Sequence, residues 1–316
     1  MTFNTLLKLA CCVLAIVAAA GCTSTTAARD AGGLPDPAFA PFHWTQVTDD
    51  FVLKPGPPGS WDEHIRERMW VMYENGKFRA WYAGFNGKYD LSRPNLVHMG
   101  YATSDDGIQW TKDTGNPIYT DRWTEDMCIV KSDGQYVMFV EDETNDKTVI
   151  HRMTSPDGIA WTDHGNVIEG VPGSSFEPDW AGTPLVWKEG KKWIMLYEGG
   201  NPGDTALATS KDGIHWERYA HNPVLPEGAG WDGRITAADS ITKIDGIYYV
   251  FYHARGDAWR SGMAASRDLI HWQRYSGNPV FENPSPVLVQ VPGHTYMYVT
   301  HEEKSGVNGI LLYESK

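Results

Sequence analysis

Between residues 183 and 218 the apolar positions fall into four short strand-like runs, 183–187, 193–197, 206–210 and 214–218. Gly190 stands between the first two, and Asp212-Gly213 separates the last two. Asp-Gly between strands predicts a tight hairpin, because glycine accepts the positive φ that a primed turn demands. The same unit recurs. Ser104-Asp105-Asp106-Gly107-Ile108-Gln109-Trp110 returns as Ser155-Pro156-Asp157-Gly158-Ile159-Ala160-Trp161 and as Ser210-Lys211-Asp212-Gly213-Ile214-His215-Trp216. A degenerate copy is Ser266-Arg267-Asp268-Leu269-Ile270-His271-Trp272. The leading serines lie 51, 55 and 56 residues apart. Four antiparallel strands per repeat describe a propeller blade.

The ends of the pattern predict how the ring closes. Residues 286–290, 295–300 and 309–314 supply only three strands, and His43-Trp44-Thr45-Gln46 resembles the fourth-strand run His215-Trp216-Glu217-Arg218. An N-terminal strand completing the last blade would remove an exposed edge. The expected fold is therefore all-β: a five-bladed β-propeller of four-stranded antiparallel blades over 42–316, closed by the N-terminal strand. The D-G-x-x-W segments are read as outer hairpin turns whose tryptophans pack between blades, in preference to sugar-binding boxes.

The first residues carry a different pattern. Lys8 is the only charge among the first 28, an apolar run covers 9–20, and Ala19-Ala20-Gly21-Cys22 follows. About twelve apolar residues are too few to span a bilayer, which takes roughly 20. The pattern is that of an export signal. Its small residues before cysteine resemble a bacterial lipobox, which implies cleavage before Cys22 and a lipid on that residue. Residues 1–22 are thus expected to be a lipoprotein signal and 23–41 a flexible tether. The domain would be exported and anchored to a bacterial membrane through the lipid alone, facing the periplasm or exterior. Cys11 and Cys12 would leave with the signal, so Cys128 remains as one free thiol and no internal disulfide is expected.

The formal net charge of −13 argues against a nucleic-acid partner. The sequence contains neither zinc-type ligand spacing nor a nucleotide loop, and no cofactor or metal is expected. The chain is expected to act as a monomer on a carbohydrate.

In a propeller, residues just before strand one and just after strand two converge on one mouth of the central channel. Before strand one stand Trp61-Asp62-Glu63-His64-Ile65-Arg66-Glu67-Arg68, Trp123-Thr124-Glu125-Asp126, Phe176-Glu177-Pro178-Asp179-Trp180, and Trp231-Asp232-Gly233-Arg234 with Asp239. After strand two stand Glu141-Asp142, Glu198, His253 with Arg255, and His301-Glu302. Carboxylates beside aromatic walls suit glycoside cleavage, in which a protonated carboxyl assists the leaving oxygen and an ionised one activates water or attacks the sugar.

The repeats, the run Gly100–Trp110 and the run Tyr197–Ser210 resemble five-bladed propeller glycosidases of the arabinanase, xylosidase and invertase type, and the mannoside phosphorylases. The resemblance covers residues 42–316. It implies catalytic acids from blades one to three: Asp62 as base or nucleophile, Asp126 (or Glu125) as an orienting group, and Glu177 as general acid. Trp61, Glu63, Glu125, Asp179, Trp180, Glu198, Arg234, Asp239, His253 and His301 are the expected substrate-binding residues. Asp62 and Glu177 have an alternative as loop-pinning acids, since Trp61-Asp62 aligns with Trp231-Asp232. Asp239 has one as a partner of Arg234. The family's usual Asp-Pro is absent, because Glu63 follows Asp62. The expected activity is glycoside hydrolysis. Exo action is favoured because blade one carries extra length, and residues 86–96 would overhang the mouth. Phosphorolysis and non-catalytic glycan capture are the alternatives.

Overall fold

The computed structural model describes Leu34 and residues 42–315, apart from 94–95, 145–146, 201–202 and 303–307. The expected signal, Cys22 and most of the tether lie outside the described residues.

Twenty strands follow one another with no helix among the described residues. β1 is Thr45–Gln46. Blade one holds β2 (His64–Glu74), β3 (Lys77–Phe85), β4 (His98–Ser104) and β5 (Thr111–Lys112). Blade two holds β6 (Glu125–Ser132), β7 (Gln135–Thr144), β8 (Lys147–Ser155) and β9 (Thr162–Ile168). Blade three holds β10 (Ala181–Glu189), β11 (Lys192–Gly199), β12 (Asp204–Ser210) and β13 (Trp216–Arg218). Blade four holds β14 (Ile235–Ile244), β15 (Ile247–Arg255), β16 (Trp259–Ser266) and β17 (Gln273–Arg274). Blade five holds β18 (Val287–Val291), β19 (His294–Glu302) and β20 (Asn308–Ser315), with β1 as its outer strand. Five sheets of four antiparallel strands form the expected propeller, and Thr45 pairs with Glu314 as the closing strand.

The D-G-x-x-W segments are outer turns. Asp106 Oδ1 accepts the N–H groups of Ile108 and Gln109, Ser104 Oγ accepts that of Gly107, and the Trp110 indole donates to the Gly107 carbonyl. This knot needs a left-handed residue at its centre. Gly107, Gly158 and Gly213 have φ of 77°, 81° and 72°, and the degenerate copy forces Leu269 to 68°. Leu269 is buried in the apolar layer beside blade three, which offsets that strain. The tryptophans pack on the preceding blade: Trp110 on Tyr298, Trp161 on Trp81 and Trp216 on Phe139. The core is accordingly a ring of interblade apolar layers surrounding a polar axis.

Candidate active site at the propeller mouth

The innermost strands of blades one to four are irregular near their starts. The ladder register slips between Arg66 and Trp70, Glu125 and Cys128, Gly182 and Leu185, and Ala238 and Ser240. Glu67, Asp126 and Thr183 have φ between 43° and 51° at these slips in blades one, two and three, and Ser285, just ahead of β18, has φ of 55°. A bulge re-aims the side chain it carries, and here it presents Glu67, Asp126, Thr183, Asp239 and Ser285 to the axis. A second ring comes from the neighbouring strands, where Glu141, Glu198 and His253 pair with Glu125, Gly182 and Ala237.

The two rings meet at Thr183. Its hydroxyl lies 3.1 Å from Asp126 Oδ2, 3.3 Å from Glu141 Oε2 and 3.2 Å from Glu198 Oε2. One hydroxyl proton satisfies one of these acceptors, so the others approach as favourable partners only where a carboxyl is protonated. The electrostatics agree. Burial, reinforced by Asp126 and Glu143, holds the Glu141 carboxyl well above the ordinary range. Burial pushes Glu198 up to about 7, against the pull of His253. Burial pushes Glu125 to about 8, with Arg66 opposing and Glu143 and Asp126 adding to the rise.

Two cations organise the floor. Arg68 is fully buried and spans the axis, donating to the Pro184 carbonyl at 2.9 Å, with Nε 3.6 Å from Asp126 and 3.8 Å from Asp239. His253 Nδ1 lies 3.0 Å from Asp239 Oδ1; burial opposes its charge, yet Asp239 lifts its pKa to about 10. Nearer the rim, Arg66 bonds Glu125, lies 3.1 Å from Glu67 and 3.7 Å from Glu143, and covers the Tyr89 ring. The Tyr89 hydroxyl donates to Glu143 at 2.6 Å. Tyr89 belongs to the extra length of blade one, and its side chain lies against Arg66 and Glu143 at the mouth. Oxygens of Glu125, Glu141 and Glu143 come within 4.8 Å of one another, which is metal-ligand spacing, but Arg66 already meets part of their charge.

Of the expected residues, the structure brings Asp126, Glu125, Glu198, Asp239 and His253 together here. It does not bring in Asp62 or Glu177. Asp62 receives the Tyr82 hydroxyl at 3.2 Å and Lys112 Nζ at 2.5 Å. Glu177 receives the Tyr197 hydroxyl at 2.8 Å and Arg218 at 2.7 Å. Asp232 repeats the arrangement with Arg274 at 2.8 Å and with Tyr252. Their backbone carbonyls accept the N–H groups of Gly56, Val171 and Gly228 in the preceding loops. The loop-pinning alternative therefore describes all three acids, each tied to a tyrosine of strand two and a cation of strand four.

Other expected residues sit apart from the cluster. Trp61 packs on Tyr82 and stacks near His98, Glu63 accepts the Gly59 N–H at 3.1 Å, and Asp179 and Arg234 are exposed. The partners of Asp239 are thus His253 and Arg68 in place of Arg234. Trp180 is half-buried and its backbone bridges to Thr148. His301 bonds Asn283 at 2.8 Å and packs on Phe51. Sequence reasoning missed Thr183, Tyr89 and Glu143. No sequence signal marks Thr183, because the register slip between Gly182 and Leu185 decides which side chain turns to the axis.

No family model matches the chain. A 1,2-β-oligomannan phosphorylase of Thermoanaerobacter sp. (strain X514) is 28% identical over 224 residues, which is 67% of this chain and 72% of that protein. A solved structure of the GH130 family of mannoside phosphorylases, from work on its hydrolases that target β-1,2-mannosidic linkages in Candida mannan, superposes with a TM-score of 0.68 at 18% identity, covering 89% of this chain and 96% of that one. The β-1,2-mannobiose phosphorylase of Listeria innocua gives 0.64 at 15% identity, covering 87% and 97%. The chain has the five-bladed propeller fold of these glycoside hydrolases and mannoside phosphorylases.

Proposed function

We propose that this protein hydrolyses a glycosidic bond of a mannose-containing oligosaccharide at the propeller mouth, acting from a chain end. Glu198 is the general acid and Asp126 the carboxylate that activates water. The observation that carries this reading is the Thr183 hydroxyl set between Asp126, Glu141 and Glu198, where burial pushes the Glu141 and Glu198 carboxyls upward. A carboxyl with pKa near the working pH is the efficient proton donor. The Tyr89 segment narrows one side of the mouth, which favours exo action. The β-1,2-mannoside class is taken from the relatives.

Water is favoured over phosphate as acceptor for an electrostatic reason. The cations of the mouth, Arg66, Arg68 and His253, each face carboxylates already, and acids outnumber them. A phosphate dianion entering there would meet net negative charge.

The test incubates β-1,2-mannooligosaccharides and aryl glycosides with wild type, Glu198→Gln and Asp126→Asn, with and without phosphate. Product independent of phosphate, lost by at least about 100-fold in both variants, is the expected result. Strict dependence on phosphate would replace hydrolysis by phosphorolysis. Saturable glycan binding without product would make the protein a capture lipoprotein. Export and lipidation at Cys22 belong to the same reading. Labelled fatty acid should enter the wild-type chain in cells and not Cys22→Ala.

A further inference from the structure

The end of the propeller opposite the mouth is formed by the turns that join strands one and two. On most blades the lysines there sit beside acids. Lys77 lies 3.2 Å from Asp105, Lys131 2.7 Å from Glu74 and Lys243 3.2 Å from Glu189. The seam between blades two and three departs from this. Arg152, Lys188, Lys191 and Lys211 line one pocket of about 370 Å³, and among the described residues none of the four makes an ion pair within 4.0 Å. Lys188 donates to Ser132 Oγ at 2.8 Å and lies over Trp193, while Arg152 Nε is buried with no hydrogen-bond partner. Burial depresses the Arg152 pKa against the attraction of Asp212, which marks a guanidinium desolvated more than it is paired.

Two acids share the wall, Asp133 and Asp212, and neither lies within 4.0 Å of a cation of the pocket. Asp212 accepts the N–H groups of Ile214 and His215 and lies 2.8 Å from the His215 ring. Asp133 accepts the Ser132 hydroxyl. A chain with 40 acidic and 27 basic residues has acids to spare. Four basic groups against two acids leave the concavity net positive, and an anion bound there would relieve the repulsion among them. A guanidinium fork with flanking ammonium groups matches phosphate oxygens.

We propose that this pocket is a binding site for a phosphate ester group, separate from the catalytic mouth and facing the other way. The same chemistry is offered by an anionic lipid headgroup and by a soluble phosphorylated molecule. Lys191 and Lys211 also border the adjoining groove, together with Lys192, His215, Asp212 and Glu217.

The experiment uses the purified full chain. Inorganic phosphate is titrated calorimetrically against a chloride background, and co-sedimentation compares vesicles of phosphatidylglycerol with vesicles of phosphatidylcholine. The variants are R152Q with K188Q and, at exposed positions that bear little on folding, K191Q with K211Q. Each pair should weaken the bound probe by at least about tenfold, the loss expected for deleting charge-assisted hydrogen bonds. Glycoside turnover should be unchanged. Saturable phosphate binding with no vesicle preference supports a soluble ester; preference for phosphatidylglycerol, lost in the variants and in high salt, supports a headgroup. Binding that survives both variant pairs, or no binding of either probe above background, overturns the proposal. Phosphate uptake at the mouth is distinguished because only Asp126→Asn or Glu198→Gln would alter it.

Discussion

Asp62 and Glu198 are hidden from solvent to nearly the same degree, at 4% and 7% exposure, yet their surroundings differ in kind. Asp62, Glu177 and Asp232 each have one phenol and one cation to themselves. In blades one and four an asparagine completes the set, with Asn116 and Asn278 donating to the same tyrosines. Such an acid is fully answered, and its charge holds a loop to a sheet. Around Thr183 the proportions reverse. Several carboxyls share few cations, so part of the charge is relieved by retained protons. Burial alone therefore does not mark a catalytic acid. The ratio of acids to available cations separates a pin from a proton store.

The sharpest way to break this contrast is activity. Glu198→Gln and Asp126→Asn should each lower kcat by about 10²–10⁴-fold, whereas Asp62→Asn should leave kcat unchanged in the folded fraction. A steady-state comparison of the three variants decides it. Next comes pH. With Glu198 as acid, kcat should fall as pH rises through about 7. Stability should fall in the same direction. Glu198 and Glu125 titrate at about 7 and 8 when folded against 4.5 in the reference state, so the folded protein binds the extra protons and loses stability as pH rises across that window. The contribution of His253 is complete below 6.5 and lost as pH rises through about 10. Melting temperatures measured from pH 5 to pH 9 should decline, and Glu198→Gln should flatten part of the slope. A flat profile would mean that the mouth holds no protons.

Smaller effects test the pins. Asp62→Asn should cost about 1–3 kcal/mol in chemical denaturation, the range for bonds to a buried charged group, discounted because Lys112 is partly exposed. Asp106→Ala, which removes the acceptor for two turn N–H groups, should cost about 1 kcal/mol. A larger loss from Asp106→Ala than from Asp62→Asn would invert the ranking.

The fold was legible because its signals are local and periodic. Asp-Gly turns, the recurring tryptophan and the resemblance of His43-Trp44 to His215-Trp216 each lie within a few residues. Part of the candidate site was legible by the same logic, since the rule of strand starts and ends reached Asp126, Glu198, Asp239 and His253, which the fold brings together. It failed at Thr183, because a bulge alters which side chain faces the axis without any mark in the apolar pattern. It failed at Tyr89 because a loop residue is placed by tertiary contact. The tyrosine and cation partners of Asp62 and Glu177 were not legible, because Lys112 and Arg218 reach them from strand four, some 40–50 residues further along the chain.

The pairing of Thr45 with Glu314 carries a consequence for how the molecule is made. A ring sealed by its first and last strands cannot close until nearly the whole chain is present, and contacts so distant in sequence form slowly. Until then blade five lacks its outer strand and blade one lacks the neighbour that receives Trp110. During synthesis the chain is therefore an open arc with sticky ends, and the seam beside β1 is where folding finishes.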